Sequence, residues 1–222
     1  MKLRWYGQSA FGLEGTDATV FIDPFGDMSA AAAHGMRFDY PAIEGVSPDL
    51  LLVTHEHMDH NGVEAIEGEP AVIRSTAGTL ESPVGGVIAV ASEHDAVAGT
   101  ERGPNVIFNF ELDGVRVCHF GDFGQSALRP EQAAALQGID LLILPVGGGP
   151  TIDAAGAKAI VQELRPRWVV PMHYQTEKIS FLEPLDAFVQ AFEPLHRCDG
   201  PSFDTAELPS ADGPLAVVPA TP

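Results

Sequence analysis

A mixed α/β (α+β) domain, with its strands in packed sheets and its helices outside, is predicted from three features of the 222-residue chain. Short apolar runs punctuated by Gly, Asp and Pro dominate the first 120 residues, which is a strand-rich pattern. From Pro130 onward, helical and strand-like segments alternate, so that each half of the chain reads as strands followed by helices. The length is roughly 1.5 times a typical domain and suits one large domain with trimmings. We place that domain over residues 1–198. An acidic, Pro-rich tail over 199–222 is expected to be packed on it or partly mobile.

In chain order, residues 3–6, 10–13 and 18–22 read as strands. Residues 23–48 form a loop around an Ala run, with room for one short helix, that overhangs a site. Leu50–Val53 is apolar throughout, the mark of a strand buried on both faces. A short helix follows Asn61. Strands are then expected at 71–73, 87–91, 106–110 and 115–120, and the Asp113-Gly114 pair makes a hairpin turn between the last two. A helix at 130–136, a strand at 141–144, a helix at 153–164, a strand at 168–170 and a helix at 182–192 complete the domain. The tail has five prolines, four carboxylates and no Lys or Arg, and one late strand at 215–218.

Hydrophobic residues make up 45% of the chain and charged residues 19%, which excludes wholesale disorder. The 12 Lys and Arg against 31 Asp and Glu leave a net charge of −19, a surface that repels phosphate backbones, so no nucleic acid partner is expected. A small anionic substrate remains open, because bound cations reverse the local field. No apolar run approaches the roughly 18 residues that span a bilayer, and the N-terminal stretch lacks the apolar core of a secretory signal. With Cys118 and Cys198 read as reduced thiols, the chain is expected to be cytoplasmic and off the membrane.

Three of the eight histidines fall in THEHMDHNG, directly after the buried strand. In extended backbone His55 and His57 point to one face and can grip one ion, while Asp59 and His60 follow at a turn and face a second position. Packed imidazoles beside a carboxylate repel one another when protonated and pack poorly when neutral, but they suit Zn²⁺ or a similar first-row ion. His94 in ASEHD, Asp122 in CHFGDFG and His173 in VVPMHYQT each follow an apolar strand, where open α/β sheets place their sites.

THEHMDH resembles the H-x-H-x-D-H signature of the metallo-β-lactamase superfamily, which implies a four-layer αββα sandwich. Ile22-Asp23-Pro24, His94, Gly121-Asp122 and Pro171-Met172-His173-Tyr174 are similar to its companion motifs. LPVGGGPTIDAAGA resembles the branch of small UlaG-like metal-dependent hydrolases, which shares features with lactonases and with phosphodiesterases acting on N-acylethanolamine phospholipids. The likeness runs over about residues 2–192. It implies one metal on His55, His57 and His94, a second on Asp59, His60 and His173, and Asp122 bridging both. Gln8 departs from the His that the branch often carries, and the Ala-rich 23–48 segment is this chain's own. Diiron relatives that reduce oxygen resemble H-x-E-x-D, so His57 favours hydrolysis. Glu56, one place off, is not that ligand.

The resemblance therefore implies two divalent ions, zinc first, with manganese or iron open. Such a pair, about 3.5–4 Å apart, bridges a hydroxide at neutral pH that attacks a carbonyl carbon or phosphorus. Asp59 is the candidate proton shuttle. Asp23 is either an acceptor that orients a ligand imidazole or a turn cap. His119 faces either the site or the core, and Tyr174 either bonds substrate or packs beside it. Lys178 either holds an anion or is solvated. His34 and His196 receive no function. Gly147 to Gly149 lack the Lys-Ser/Thr of a P-loop and read as a tight turn that lets backbone approach the site. The expected protein is a dinuclear metal-dependent hydrolase of a small ester, lactone or phosphodiester. The alternatives are a phosphodiesterase or nuclease acting on RNA or nucleotides, and a non-catalytic metal-binding regulatory protein. Its partner is a small-molecule substrate, and a homo-oligomer is left open.

Overall fold

The computed structural model describes residues 1–33 and 35–222. His34, to which no function was assigned, lies outside the described residues. In the first half, the strands are β1 (Lys2–Gly7), β2 (Ala10–Glu14), β3 (Thr19–Ile22), β4 (Leu50–Val53), β5 (Ala71–Arg74), β6 (Gly78–Ser82) and β7 (Gly85–Glu93). The second half adds β8 (Pro104–Leu112), β9 (Val115–His119), β10 (Leu141–Pro145), β11 (Trp168–Met172), β12 (Leu195–Arg197), β13 (Ser202–Asp204) and β14 (Leu215–Val218). Helices α1 (Ser29–Ala33), α2 (Pro130–Ala135), α3 (Ala154–Leu164) and α4 (Asp186–Ala191) lie between them.

Among the described residues the strands build two sheets, one ordered β13-β1-β2-β3-β4-β5 and the other β12-β14-β11-β10-β9-β8-β7-β6. Period-two alternation explains how the first sheet serves two cores. Phe11, Leu13, Val20, Ile22, Leu50 and Leu52 point toward the second sheet, and Ala10, Phe21, Leu51 and Val53 point outward. Phe25, Tyr40, Ile43, Ile179 and Leu182 cover the outward set, so the layer outside this sheet is built largely from the 23–48 segment. On the second sheet the buried stripe of α3 (Ala157, Ile160, Val161, Leu164) and Phe188 of α4 close the main core.

The expected mixed α/β sandwich is therefore present, with local differences. The helix expected over 182–192 contracts to α4, because Pro184 cannot continue a helix from Leu182. The short helix after Asn61 is a 3₁₀ turn at Val63–Ala65. The tail adds a second strand beyond the one expected: β13 pairs with β1, while β14 lies between β11 and β12. Residues 199–222 thus contribute to both sheets. No helix among the described residues is long and apolar enough to cross a membrane.

Strand direction positions the site. β2 runs antiparallel to β1 and β3, and β4 runs parallel to β3, so β1, β3 and β4 end on one edge. In the second sheet β8 is antiparallel to β7 and β9, and β9, β10 and β11 are parallel, so β7, β9 and β11 also end together.

Candidate metal centre

Every sequence-expected ligand lies just beyond one of these strand ends: His55 to His60 after β4, His94 after β7, Asp122 after β9 and His173 after β11. Ligand-capable atoms of His55, His57 and His94 lie within 4.8 Å of one another. The same holds for His55, His60 and Asp122, and for Asp59, His60 and His173. All of these side chains are buried except His57 and Asp59, which are half-buried and face a cavity of about 560 Å³.

Hydrogen bonds fix which imidazole nitrogens carry protons. Thr54 Oγ1 donates to Asp23 Oδ2 at 2.7 Å, which uses its one proton, so His55 Nδ1, 3.0 Å from the same hydroxyl, must donate to it. His60 Nδ1 donates to Asp23 Oδ2 at 2.9 Å, and His94 Nδ1 donates to the Pro150 carbonyl at 3.0 Å. The Nε2 atoms of His55, His60 and His94 are therefore the nitrogens left to coordinate. All three converge on Asp122 Oδ2, at 4.0, 3.3 and 3.1 Å, and His173 Nε2 joins them at 3.2 Å. Imidazole nitrogens gathered on one carboxylate oxygen call for positive charge between them, as a proton or as a metal ion. His60 Nε2 is buried with no hydrogen-bond partner, as a coordinating nitrogen would be in the protein alone. The residues fit a metal pair.

Electrostatics agree. Burial, reinforced by the neighbouring histidines, pushes the His55 imidazole far down, and burial lowers His57 too, so both stay neutral and able to coordinate. Burial also disfavours charge on His60, but Asp122, Asp59 and Asp23 outweigh it and raise its pKa well above the ordinary value. That point in the protein demands positive charge. Burial would raise the Asp122 carboxyl, yet His173 and His60 hold it well below the usual carboxylate range.

Backbone geometry sustains the cluster. Gln8, Asp23 and His173 sit in the left-handed region, at φ 49, 49 and 52°, a strained placement that gathers at functional sites. A Cβ on Gly147 would lie 2.1 Å from the His173 carbonyl oxygen, and one on Gly124 would lie 2.5 Å from the His94 carbonyl carbon. Both ligand backbones approach too closely for a side chain, consistent with the tight turn expected at Gly147.

Other expected residues divide. Asp23 accepts from a ligand imidazole, and it also accepts from the Thr54 N–H at 2.7 Å. His119 is not brought to the cavity: it is fully buried, its Nε2 donates to the Ser9 carbonyl at 3.0 Å and its Nδ1 accepts from the Gly121 N–H at 3.1 Å. With both nitrogens engaged by backbone, it has no atom left for substrate. Tyr174 likewise turns inward, against Trp5 at 5.4 Å between ring centroids, and burial pushes its hydroxyl pKa up. Lys178 does not border the cavity. Glu56 turns away to Arg74, whose Nε donates to it at 2.8 Å and whose hydrogen bonds hold the Glu56 carboxyl at about 2.

Two residues gain a role in the structure that the sequence did not assign them. Gln8 is fully buried, and its Nε2 donates to Asp59 Oδ2 at 3.0 Å while its Oε1 has no partner. Thr54, in THEH, wires Asp23 to His55; a hydroxyl directly before the first ligand was the available signal.

A two-sheet sandwich whose strand ends gather five histidines and two aspartates defines a metal-dependent hydrolase of the metallo-β-lactamase superfamily. Residues 2–173 match the beta-lactamase superfamily domain, and the chain belongs to that family. It is 32% identical to the UPF0173 metal-dependent hydrolase of Archaeoglobus fulgidus, over 84% of this chain and 88% of that one. The corresponding protein of Thermococcus kodakarensis is 34% identical, over 79% and 85%. A crystal structure of a metallo-beta-lactamase superfamily protein from Thermotoga maritima superposes with a TM-score of 0.78 at 29% identity, covering 99% of each chain.

Proposed function

We propose that the chain is a dinuclear hydrolase. One divalent ion would be held by His55, His57 and His94 and a second by Asp59, His60 and His173, with Asp122 between them; zinc is the first choice, with manganese or iron as alternatives. One observation carries this reading: imidazole lone pairs, their tautomers set by hydrogen bonds, surround a single carboxylate oxygen. A bound pair supplies Lewis acidity and a water whose pKa falls from 15.7 to about 7.

The chain's own residues then do three things. Asp23 and Pro150 hold the ligand tautomers. Gln8 holds one oxygen of Asp59. Asp59, half-buried at the cavity, moves the proton to the leaving group. His119 acts at one remove, as a positioning residue that ties the Ser9 and Gly121 backbones together.

The substrate is a small ester or lactone, with a small phosphodiester accessible to the same chemistry. The likeness of the later motifs to UlaG-like hydrolases supports that range, and the zinc-dependent designation of the Thermotoga maritima protein supports the metal. A net charge of −19 weighs against RNA as the partner. The test is elemental analysis of purified protein followed by hydrolysis of p-nitrophenyl acetate, a γ-lactone and bis-p-nitrophenyl phosphate. We expect about two metal equivalents, with turnover of the carboxyl substrates above the phosphodiester. Bound metal with no turnover across the panel would instead leave the metal-binding regulatory reading.

A further inference from the structure

We infer that the substrate is amphiphilic, with a flexible apolar chain seated on a methionine-rich wall and an anionic group held by Arg102. This rests on the hydrolase reading above and extends it to the substrate class.

Large apolar side chains exposed among the described residues are Met36, Met58, Val72, Ile88, Val97 and Phe181. Three of these, Met36 at 37%, Met58 at 53% and Phe181 at 38% exposure, border the cavity that also contains His57, His94, Asp122 and His173. Met28 and Ala31 continue the same wall. The wall draws on three separate segments: the 23–48 loop, the ligand loop after β4 and the stretch after β11. No local run of sequence accounts for their meeting. Single exposed apolar side chains are ordinary, but a contiguous set beside polar groups marks a binding surface. Methionine is unbranched and adapts its shape, so the wall suits a flexible chain better than one rigid ring. The cavity, about 560 Å³, falls within the roughly 300–1,000 Å³ of small-molecule sites and leaves room for a head group beside the chain.

The charge at the cavity edge is equally specific. Among the described residues Arg102 is the only Lys or Arg bordering it. Arg74 and Arg129 are paired with Glu56 and Glu93; Arg102, like the remaining Lys and Arg side chains, has no carboxylate within 4.0 Å among the described residues. Its loop is also anchored. Asp95, next to the ligand His94, accepts from the backbone N–H groups of Val97, Gly99, Glu101 and Arg102 at 2.9, 2.7, 3.0 and 2.8 Å. Arg102 further borders a smaller cavity, about 280 Å³, lined by His55 and His57. A carboxylate or phosphate there would sit beside the ligands, with the chain running onto the wall.

The experiment measures binding to zinc-loaded protein by calorimetry, using acetate, butanoate, hexanoate, octanoate, octyl phosphate and octanamide, with p-nitrophenyl acetate hydrolysis run in parallel. Complete burial of a methylene gives about fourfold in affinity, so a half-open wall should give about twofold per methylene, or about 60-fold from acetate to octanoate. The double variant Met58→Gln/Phe181→Ser, at exposed positions where folding is safe, should cut that gain to below about tenfold. Arg102→Gln should weaken octanoate and octyl phosphate by about fivefold and leave octanamide unchanged. The tighter of the two anions identifies carboxylate or phosphate as the natural group. Equal binding of acetate and octanoate overturns the substrate class, and continued ester hydrolysis in that case leaves the hydrolase reading standing. Steep length dependence without hydrolysis does the reverse. A length dependence untouched by the double variant, or an anion preference untouched by Arg102→Gln, also overturns the inference.

Discussion

Replacing Asp23 with Asn separates the ligands from the frame that orients them. Asp23 is fully buried and takes three donors, the Thr54 N–H on Oδ1 and both the Thr54 hydroxyl and His60 Nδ1 on Oδ2. Its left-handed φ of 49° is one that Asn tolerates, so the change leaves the backbone preference intact. An amide, however, offers one accepting oxygen and one donating nitrogen. With the nitrogen at the Oδ2 position, His60 must move its proton to Nε2, where the lone pair is needed. The Thr54 hydroxyl then turns to His55 Nδ1, and that proton moves to Nε2 as well. With the amide flipped, its nitrogen meets the Thr54 N–H, and a buried donor is left unpaired.

Loss of such an outer partner typically costs about 10–100-fold in metal affinity, or about 1.4–2.7 kcal/mol. Metal stabilises the folded state by mass action, so the metal-dependent gain in stability should fall by the same amount. In a chain of this size each kcal/mol moves Tm by about 2–4 °C, which predicts a metal-induced rise in Tm smaller by roughly 3–10 °C. Zinc competition against a chromophoric chelator, and thermal unfolding with and without chelator, measure the two quantities. An Asp23→Asn protein that holds zinc as tightly as the native chain would refute the tautomer argument.

Four further outcomes are expected. His57→Ala should lose about one metal equivalent and Asp122→Ala about two, with hydrolysis falling in step, by elemental analysis and turnover of the same samples. Gln8→Met removes the donor to Asp59 Oδ2 and should lower kcat about tenfold with metal content retained, the loss of one hydrogen bond to a charged group; unchanged kcat would remove Asp59 positioning from the scheme. Burial raises the Asp95 carboxyl, but four backbone N–H donors outweigh it and hold it at about 2, so its stabilisation is full above about pH 4 and fades as pH falls toward 2. Urea midpoints of native and Asp95→Asn protein, taken with chelator present, should differ at pH 7 and converge near pH 2. Gly147→Ala forces a methyl group onto the His173 carbonyl and should cost about 1–3 kcal/mol in urea unfolding and weaken zinc retention.

Sequence pattern was most informative where one physical rule acted alone. Leu50–Val53 is buried on both faces, as an unbroken apolar run implies, and Asp113-Gly114 turns β8 into β9. Ligands placed after apolar strands came together because parallel strands end on one edge. Pattern failed where tertiary contacts decide. β6 is an edge strand with no fully buried residue, and β12 and β13 have three residues each, too few to show alternation. His119 lies on a strand whose two faces are both buried late in its run, so alternation could not say which way it points. The wall of Met28, Met36, Met58 and Phe181 depends on three distant segments meeting, and no local spacing records that.

Neither sheet holds a complete metal site. The first supplies His55, His57, Asp59 and His60 from the end of β4, with Gln8 and Asp23 behind them; the second supplies His94, Asp122 and His173. Each of the three ligand-capable groups takes members from both: His94 joins His55 and His57, Asp122 joins His55 and His60, and His173 joins Asp59 and His60. A cation in any of them therefore bridges the sheets. Without one, a proton on His60 takes the cation's place, since, against burial, Asp122, Asp59 and Asp23 raise its pKa well above the ordinary value. Favourable terms independent of any cation lie in the apolar core between the sheets and in the tail, whose β13 and β14 also join one sheet each. Metal affinity and the packing of the two sheets at their shared edge are thus one thermodynamic quantity read from two sides.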